Sequence, residues 1–221
     1  MLVMPTRRSA KNAKVARADG LSRDVILCAA LDLAKRTGLD GFSMRDLAAE
    51  LGVTQMAAYH YVKSREELLT LLVDEILRGV RFPGPEDGTW DERVRIFVES
   101  CLDVLTPWRD SGSVLMRVRP PRAFDVVVSL VQVLREAGFT DRDAILGARM
   151  VRVWAWGELS VRQQGEHRLL ANITPRAEEM LDTARREGIG ESDIAAFTID
   201  VMIDGLRARL QPRERDSSES V

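Results

Sequence analysis

The chain has 221 residues, with 45% hydrophobic and 30% charged side chains, enough apolar material for a sizeable core and far from the composition of a disordered chain. No apolar run approaches the roughly 20 residues that cross a bilayer, and no apolar segment follows the basic start, so the expectation is a soluble cytoplasmic protein. Its formal charge of −2 conceals an asymmetry: residues 1–65 carry a net +5 and the remainder a net −7.

The first 21 residues read as a basic arm. Arg7, Arg8, Lys11, Lys14 and Arg17 follow one another with no acid among them, a pattern that suits phosphate neutralisation and equally suits a solvated tail. Ser22 then opens a helix over 22–36, with Val25, Ile26, Ala29, Ala30, Leu33 and Ala34 at the three- and four-residue spacing of one buried face. Ser43 starts a second, short helix, and Asp46 three residues later completes a capping box. Met44, Leu47, Ala48 and Leu51 form its inner face, and Gly52 ends it. Thr54 caps a third helix that runs through Tyr61. Ser64 and Glu67 are expected to make a second capping box ahead of the stripe Leu68, Leu69, Leu72, Ile76 and Leu77. Pro83-Gly84-Pro85 breaks both helix continuation and amide donation and marks the domain boundary, giving a domain over 22–82 and another over 83–212.

The second part also reads as helical, over 89–106, 111–118, 121–137, 141–165, 175–186 and 191–210, with Pro107, Pro120-Pro121, Gly138, Pro175 and Gly190 in or beside the gaps. Sustained two-residue alternation between turn signals is lacking, so the fold class is all-α. The charged, serine-rich residues 213–221 are expected to be disordered. Two cysteines, Cys28 and Cys101, support neither a disulfide framework nor a thiolate zinc site and are read as buried small apolar groups; two histidines exclude a multi-histidine metal centre. His167 beside Glu166 has no accompanying catalytic signature, and no glycine loop cradles phosphate, so neither an enzyme nor a cofactor is expected.

Two short helices around a tight turn, flanked by longer helices, form a helix-turn-helix. Ala48 has to be small where the third helix crosses, Gly52 takes a backbone conformation that side chains resist, and Val53 seals the seam. The third helix is left with one free face bearing a hydroxyl, an amide, a phenol and an imidazole, which match base edges and phosphate oxygens.

The segment LSRDVILCAALDLAKRTGLDGFSMRDLAAELGVTQMAAYHYVKSREELLTLLVDEIL resembles the DNA-binding domain of the TetR family of bacterial transcriptional regulators. The resemblance rests on Gly38 to Ser43 (Gly-x-x-x-Phe-Ser), Arg45-Asp46-Leu47-Ala48, Leu51-Gly52-Val53, Tyr59-His60-Tyr61 and Lys63 to Leu68. It implies that Thr54, Gln55, Ala57, Tyr59 and His60 lie at the DNA, that Lys63 touches a phosphate, and that Ser43 and Arg45 brace the opposite backbone. The arm residues Arg7, Arg8 and Lys11 are expected in the minor groove or on phosphates. Ala58 and Val62 depart from the larger residues usual in the family and are expected to weaken the packing of the third helix, while Tyr61 is read as core.

Ala144 to Gly157 and Phe197 to Leu206 look like the family's two long dimerising helices. A small-residue stripe of Ala144, Ala148, Val151, Ala155 and Leu159, with Ile194, Phe197, Val201, Ile203 and Leu206, is read as the dimer interface, assembling a four-helix bundle from two subunits. Trp108, Met116, Phe124, Trp154 and Trp156 are read as the lining of an effector site. The expectation is a homodimeric repressor on an inverted-repeat double-stranded operator, released by a small-molecule effector. The alternative is a helical dimer acting as an activator, an architectural DNA binder or a protein-partner module.

Overall fold

The computed structural model describes residues 20–164 and 174–210, which include neither the arm residues Arg7, Arg8 and Lys11, nor His167, nor the tail from 213. Among the described residues the fold is all-α, as expected. The helices are α1 (Arg23–Thr37), α2 (Met44–Leu51), α3 (Gln55–Tyr61), α4 (Arg65–Ile76), α5 (Trp90–Leu105), α6 (Ser111–Arg117), α7 (Pro121–Glu136), α8 (Asp141–Gln164), α9 (Pro175–Arg186) and α10 (Glu191–Leu210). The turn Leu77–Gly79 tightens the end of α4 into 3₁₀ geometry. A second 3₁₀ turn, Pro85–Asp87, occupies the proline-rich break.

The chain divides into two compact units. One takes the chain up to Val80 together with Leu102–Phe124; the other takes Arg81–Cys101 and the chain from Asp125 onward. The core of the first unit is built from Ile26, Ala30 and Leu33 of α1, Leu47 and Leu51 of α2, Leu68, Leu69 and Leu72 of α4, and Val114 and Leu115 of α6. Its helix starts follow the local chemistry closely. Ser22 Oγ accepts the Val25 N–H, and Ser43 and Asp46 make the full reciprocal box, with Asp46 Oδ2 accepting the Ser43 N–H at 2.9 Å.

The second box differs from expectation. Ser64 Oγ accepts the Glu67 N–H at 3.0 Å, but the Glu67 carboxylate reaches one residue further back, to the Lys63 N–H at 2.7 Å, and pairs with Arg23 on α1 at 2.9 Å. The pull of Arg23 and the extended backbone at Ser64 (φ −154°) set Glu67 against the preceding amide instead of the capping residue's own. Cys28 also departs from expectation: it is exposed on α1, whereas Cys101 is buried and its thiol is pushed up to about 12 by desolvation.

In the second unit, Arg93 is a buried cation. Its guanidinium donates to Glu136 Oε2 at 2.8 Å and to the Pro83 carbonyl at 3.3 Å, tying the proline-rich break to α7. Trp90 packs edge-on against Phe139, with ring centroids 5.2 Å apart. α8 packs against α10, and the contact is close: a Cβ on Gly147 would come within 2.9 Å of Leu206 Cδ2 and 3.1 Å of Leu134 Cδ1. No described helix is long and apolar enough to cross a membrane.

Candidate nucleic-acid interface

α2 packs on α3 through the turn Gly52 to Thr54. Gly52 sits at φ +69°, ψ 31°, the left-handed region that a side chain disfavours, and Val53 donates its N–H to the Ala48 carbonyl at 3.0 Å, closing the corner. Ala48 is buried beneath the crossing, as its size requires. Thr54 Oγ1 accepts the Ala57 N–H at 3.2 Å, which starts α3 and leaves the Thr54 hydroxyl proton to be donated outward.

Ala58 and Val62 are both 0% exposed, so they form the buried side of α3 despite their small size. These two residues fix the inward direction of α3. At 100° per residue, Met56 and His60 then lie about 140–180° away, at the outer crest, with Tyr59 and Ala57 on its shoulders. Gln55, Tyr59 and His60 are exposed and Ala57 half-buried. Tyr61, read as core, is instead 37% exposed and packs edge-on against His60, with centroids 5.4 Å apart; it lies on a flank of the helix, beyond the reach of the apolar seam. Met56, absent from the reading face inferred from sequence, is 80% exposed. Its position four residues before His60 could have revealed it.

Arg45 on α2 and Lys63, just after α3, are exposed. Ser43 is half-buried, and its hydroxyl donates to Asp46 Oδ2 at 2.6 Å while accepting the Asp46 N–H. Its hydrogen-bonding capacity is largely committed to the cap. The Ser43 hydroxyl and then its amide hold the Asp46 carboxyl below its ordinary range.

The loop from Gly38 to Phe42, which aims α2, is held from two sides. Arg65, the first residue of α4, donates to the carbonyls of Phe42 and Asp40 at 3.1 Å each and to Asp40 Oδ1 at 3.1 Å, and its guanidinium lies over the Phe42 ring. From α6, Arg117 grips both oxygens of the same carboxylate at 2.6 and 2.7 Å. The Leu39 N–H donates to the Arg109 carbonyl at 3.0 Å, and the Arg109 side chain donates to the Thr37 carbonyl. Burial opposes ionisation of Asp40, but the hydrogen bonds and charges of Arg117 and Arg65 outweigh it and lower its pKa. Asp74 of α4 accepts the Arg122 N–H at 2.9 Å, anchoring the first turn of α7.

The remaining residues read from sequence separate clearly. Ala144, Ala148, Val151, Ala155 and Leu159 are all buried within the single chain, as are Ile203 and Leu206. This corrects their assignment to the dimer interface: the small residues serve close packing inside the subunit, where Gly147 approaches Leu206. The exposed apolar stripe of α8 is the other one, Leu146, Met150, Val153 and Val161. On α10, Ile194, Phe197 and Val201 stay exposed at 54, 69 and 53%. A cavity of about 400 Å³ opens between these helices, lined in part by Leu146, Met150, Val201 and Met202, with Arg209 and Asp143 paired at its rim at 3.2 Å.

The five residues read as an effector site are not brought together in one unit. Trp108 lies half-buried beneath the Lys35 ammonium, 5.2 Å from its ring, and Met116 and Phe124 are 63 and 59% exposed in the same unit. Trp154 and Trp156 are half-buried in the other unit, with the Arg152 guanidinium 4.2 Å from the Trp156 ring. Their spacing along separate helices carried no information about this division. Among the described residues no group of three or more His, Cys, Asp or Glu side chains could hold a metal ion.

A short exposed helix presented by a packed scaffold, with exposed basic side chains on α2 and just after α3 and a larger helical part following in the chain, defines a helix-turn-helix DNA-binding regulator. Residues 26–72 match the family profile described as bacterial regulatory proteins, tetR family, and residues 82–210 match the tetracyclin repressor-like C-terminal domain. The chain belongs to the TetR family of bacterial transcriptional regulators, which are DNA-binding proteins. It is 32% identical over 173 residues to the class D tetracycline repressor protein of Escherichia coli, covering 76% of this chain and 78% of that protein. A possible TetR family regulator from Streptomyces coelicolor A3(2) superposes with a TM-score of 0.75 at 28% identity, over 85% of this chain and 99% of that one. ActR of Streptomyces coelicolor, solved in complex with (S)-DNPA, gives a TM-score of 0.71 at 25% identity, over 85% and 98% of the two chains.

Proposed function

We propose that the protein is a cytoplasmic homodimeric repressor that binds an inverted-repeat operator and is released from it by a small-molecule effector. The observation that carries this reading is α3 itself, where Gln55 in the first turn and Tyr59 and His60 beyond it stand exposed while Ala58 and Val62 are buried against the scaffold. Thr54 and Ala57 complete the base-facing set; Arg45 and Lys63, with Arg7, Arg8 and Lys11 of the arm, supply phosphate contacts, and Ser43 contributes chiefly by aiming α2 through its cap. A single head spans too few base pairs for useful specificity, so a second copy is required. The exposed stripes Leu146, Met150, Val153 and Ile194, Phe197, Val201 supply the surface for it, continuous with the cavity between α8 and α10.

Leu102–Phe124 falls within the regulatory-domain profile yet packs in the same compact unit as α1 to α4. A displacement of α6 therefore acts on Asp40 through Arg117 and on the loop through Arg109. An effector that binds the displaced arrangement more tightly shifts the population away from the operator-binding one. That ActR is solved with (S)-DNPA bound supports a small-molecule effector here.

The test is selection of genomic duplex fragments by the full-length protein against excess nonspecific competitor at fixed salt. Enrichment of one inverted repeat supports the reading; absence of enrichment removes it. On the enriched duplex, Gln55→Ala is expected to lose about 1–3 kcal/mol of discrimination at particular base pairs, measured by comparing matched and single-mismatch duplexes. Lys63→Ala is expected to weaken all sequences alike and to reduce the slope of log K against log salt by about 1, measured by titrations at several salt concentrations.

A further inference from the structure

We infer that Met56 is a specificity-determining residue that reads the C5-methyl group of a thymine in the major groove, an inference that rests on α3 being the DNA-reading helix. Among the described large apolar side chains Met56 is the most exposed, at 80%. A single exposed methionine is ordinary on a protein surface and by itself assigns no occupant. Here its surroundings supply one.

Ala58 and Val62, both fully buried, define the side of α3 that faces the scaffold. Met56 and His60, four residues apart, stand on the opposite crest, so any surface that meets α3 meets Met56 early. The neighbours on that surface are polar and cationic: exposed Gln55, Tyr59 and His60, with Arg45 and Lys63 beyond. This setting, in a region carrying net +5 over residues 1–65, suits a polyanion rather than an apolar protein groove. Within the major groove the apolar feature on a base edge is the thymine methyl, and an unbranched thioether is flexible enough to settle against it. Ala57 also presents a methyl group, but it is half-buried on the shoulder of the helix and shorter. The division of labour is then that Gln55 reads hydrogen-bonding edges and Met56 reads the methyl.

The experiment uses the full-length protein and a duplex enriched by the genomic selection described above, with each thymine in turn replaced by deoxyuridine, which removes only the C5 methyl. One such replacement is expected to weaken wild-type binding about fourfold, the effect of burying roughly one methyl-sized group. Met56→Ala is expected to bind the unmodified duplex more weakly and to be indifferent to that replacement, while Met56→Leu retains the sensitivity. Unchanged circular dichroism and melting are expected for both variants, since the side chain is exposed. If wild type and Met56→Ala respond equally to every replacement, the assignment to Met56 is overturned while the DNA-reading role of α3 stands. If no duplex is enriched at all, both fall together.

Discussion

Phe197→Asp is expected to convert the protein from dimer to monomer and to abolish tight binding to a two-half-site operator, while leaving the helical content of the subunit unchanged. Phe197 is 69% exposed at the centre of the apolar stripe of α10, between Ile194 and Val201. Gly205 continues that stripe into open space, since a Cβ there would meet nothing within 4 Å. Truncating a central aromatic anchor at an interface costs roughly 2–4 kcal/mol, and burying an unpaired carboxylate in its place adds several more. Each 1.4 kcal/mol is about tenfold in the dimer dissociation constant, so a loss of about a thousandfold or greater is expected. Sedimentation velocity over a dilution series reads the oligomeric state, and far-ultraviolet circular dichroism reads the subunit. Persistence of the dimer at micromolar protein would remove this face from the interface. Because one head contacts one half-site, the monomer is expected to retain only the weak, salt-sensitive binding of isolated basic groups.

The reason the α8 stripe was misassigned lies in the helix itself. Periodicity shows which residues share a face, but α8 carries two apolar faces: Ala144, Ala148, Val151 and Ala155 on one side, Leu146, Met150 and Val153 on another. Small residues suit close approach of any helix, and nothing local states whether the approaching helix belongs to the same chain. Burial of Ala144, Ala148, Val151 and Ala155 within one chain accounts for the small face without a second copy. The head was more legible because its signals are local. Ser43 with Asp46, Gly52 with its positive φ, and Thr54 each act within a few residues of themselves, so sequence spacing is enough. Where a cap partner is also drawn by a distant group, as Glu67 is by Arg23, the local reading slips by one residue. Trp108 and Trp154 show the same limit at larger scale: their size suggests burial, but the unit in which each packs depends on long-range contacts.

The Arg65 side chain provides the second large effect, and it bears on how the head is aimed. Arg65→Ala is expected to destabilise the protein by about 2–3 kcal/mol, because half-buried carbonyls and a carboxylate lose a charged donor that water replaces only in part. Three carbonyls in the α1–α2 loop, those of Leu39, Asp40 and Phe42, are within its reach, as is the Asp40 carboxylate. Arg65→Lys is expected to recover little of this, since a compact ammonium cannot span acceptors that a planar fork bridges. The folded-state pKa of Asp40 lies below its ordinary value of 3.8. Its contribution is therefore complete at neutral pH and disappears as pH falls through that lowered value. Removing Arg65 leaves Arg117 as its main partner and raises the pKa back toward 3.8, so the acid dependence of stability is expected to flatten in the variant. Denaturant titrations at neutral and acidic pH read both effects. Operator affinity is expected to fall further than Lys63→Ala lowers it, because the loop that Arg65 grips sets the direction of α2 and, through the Gly52 corner, of α3. A variant with wild-type melting and wild-type operator affinity would show that the clasp through Asp40 to Arg117 aims the head without Arg65.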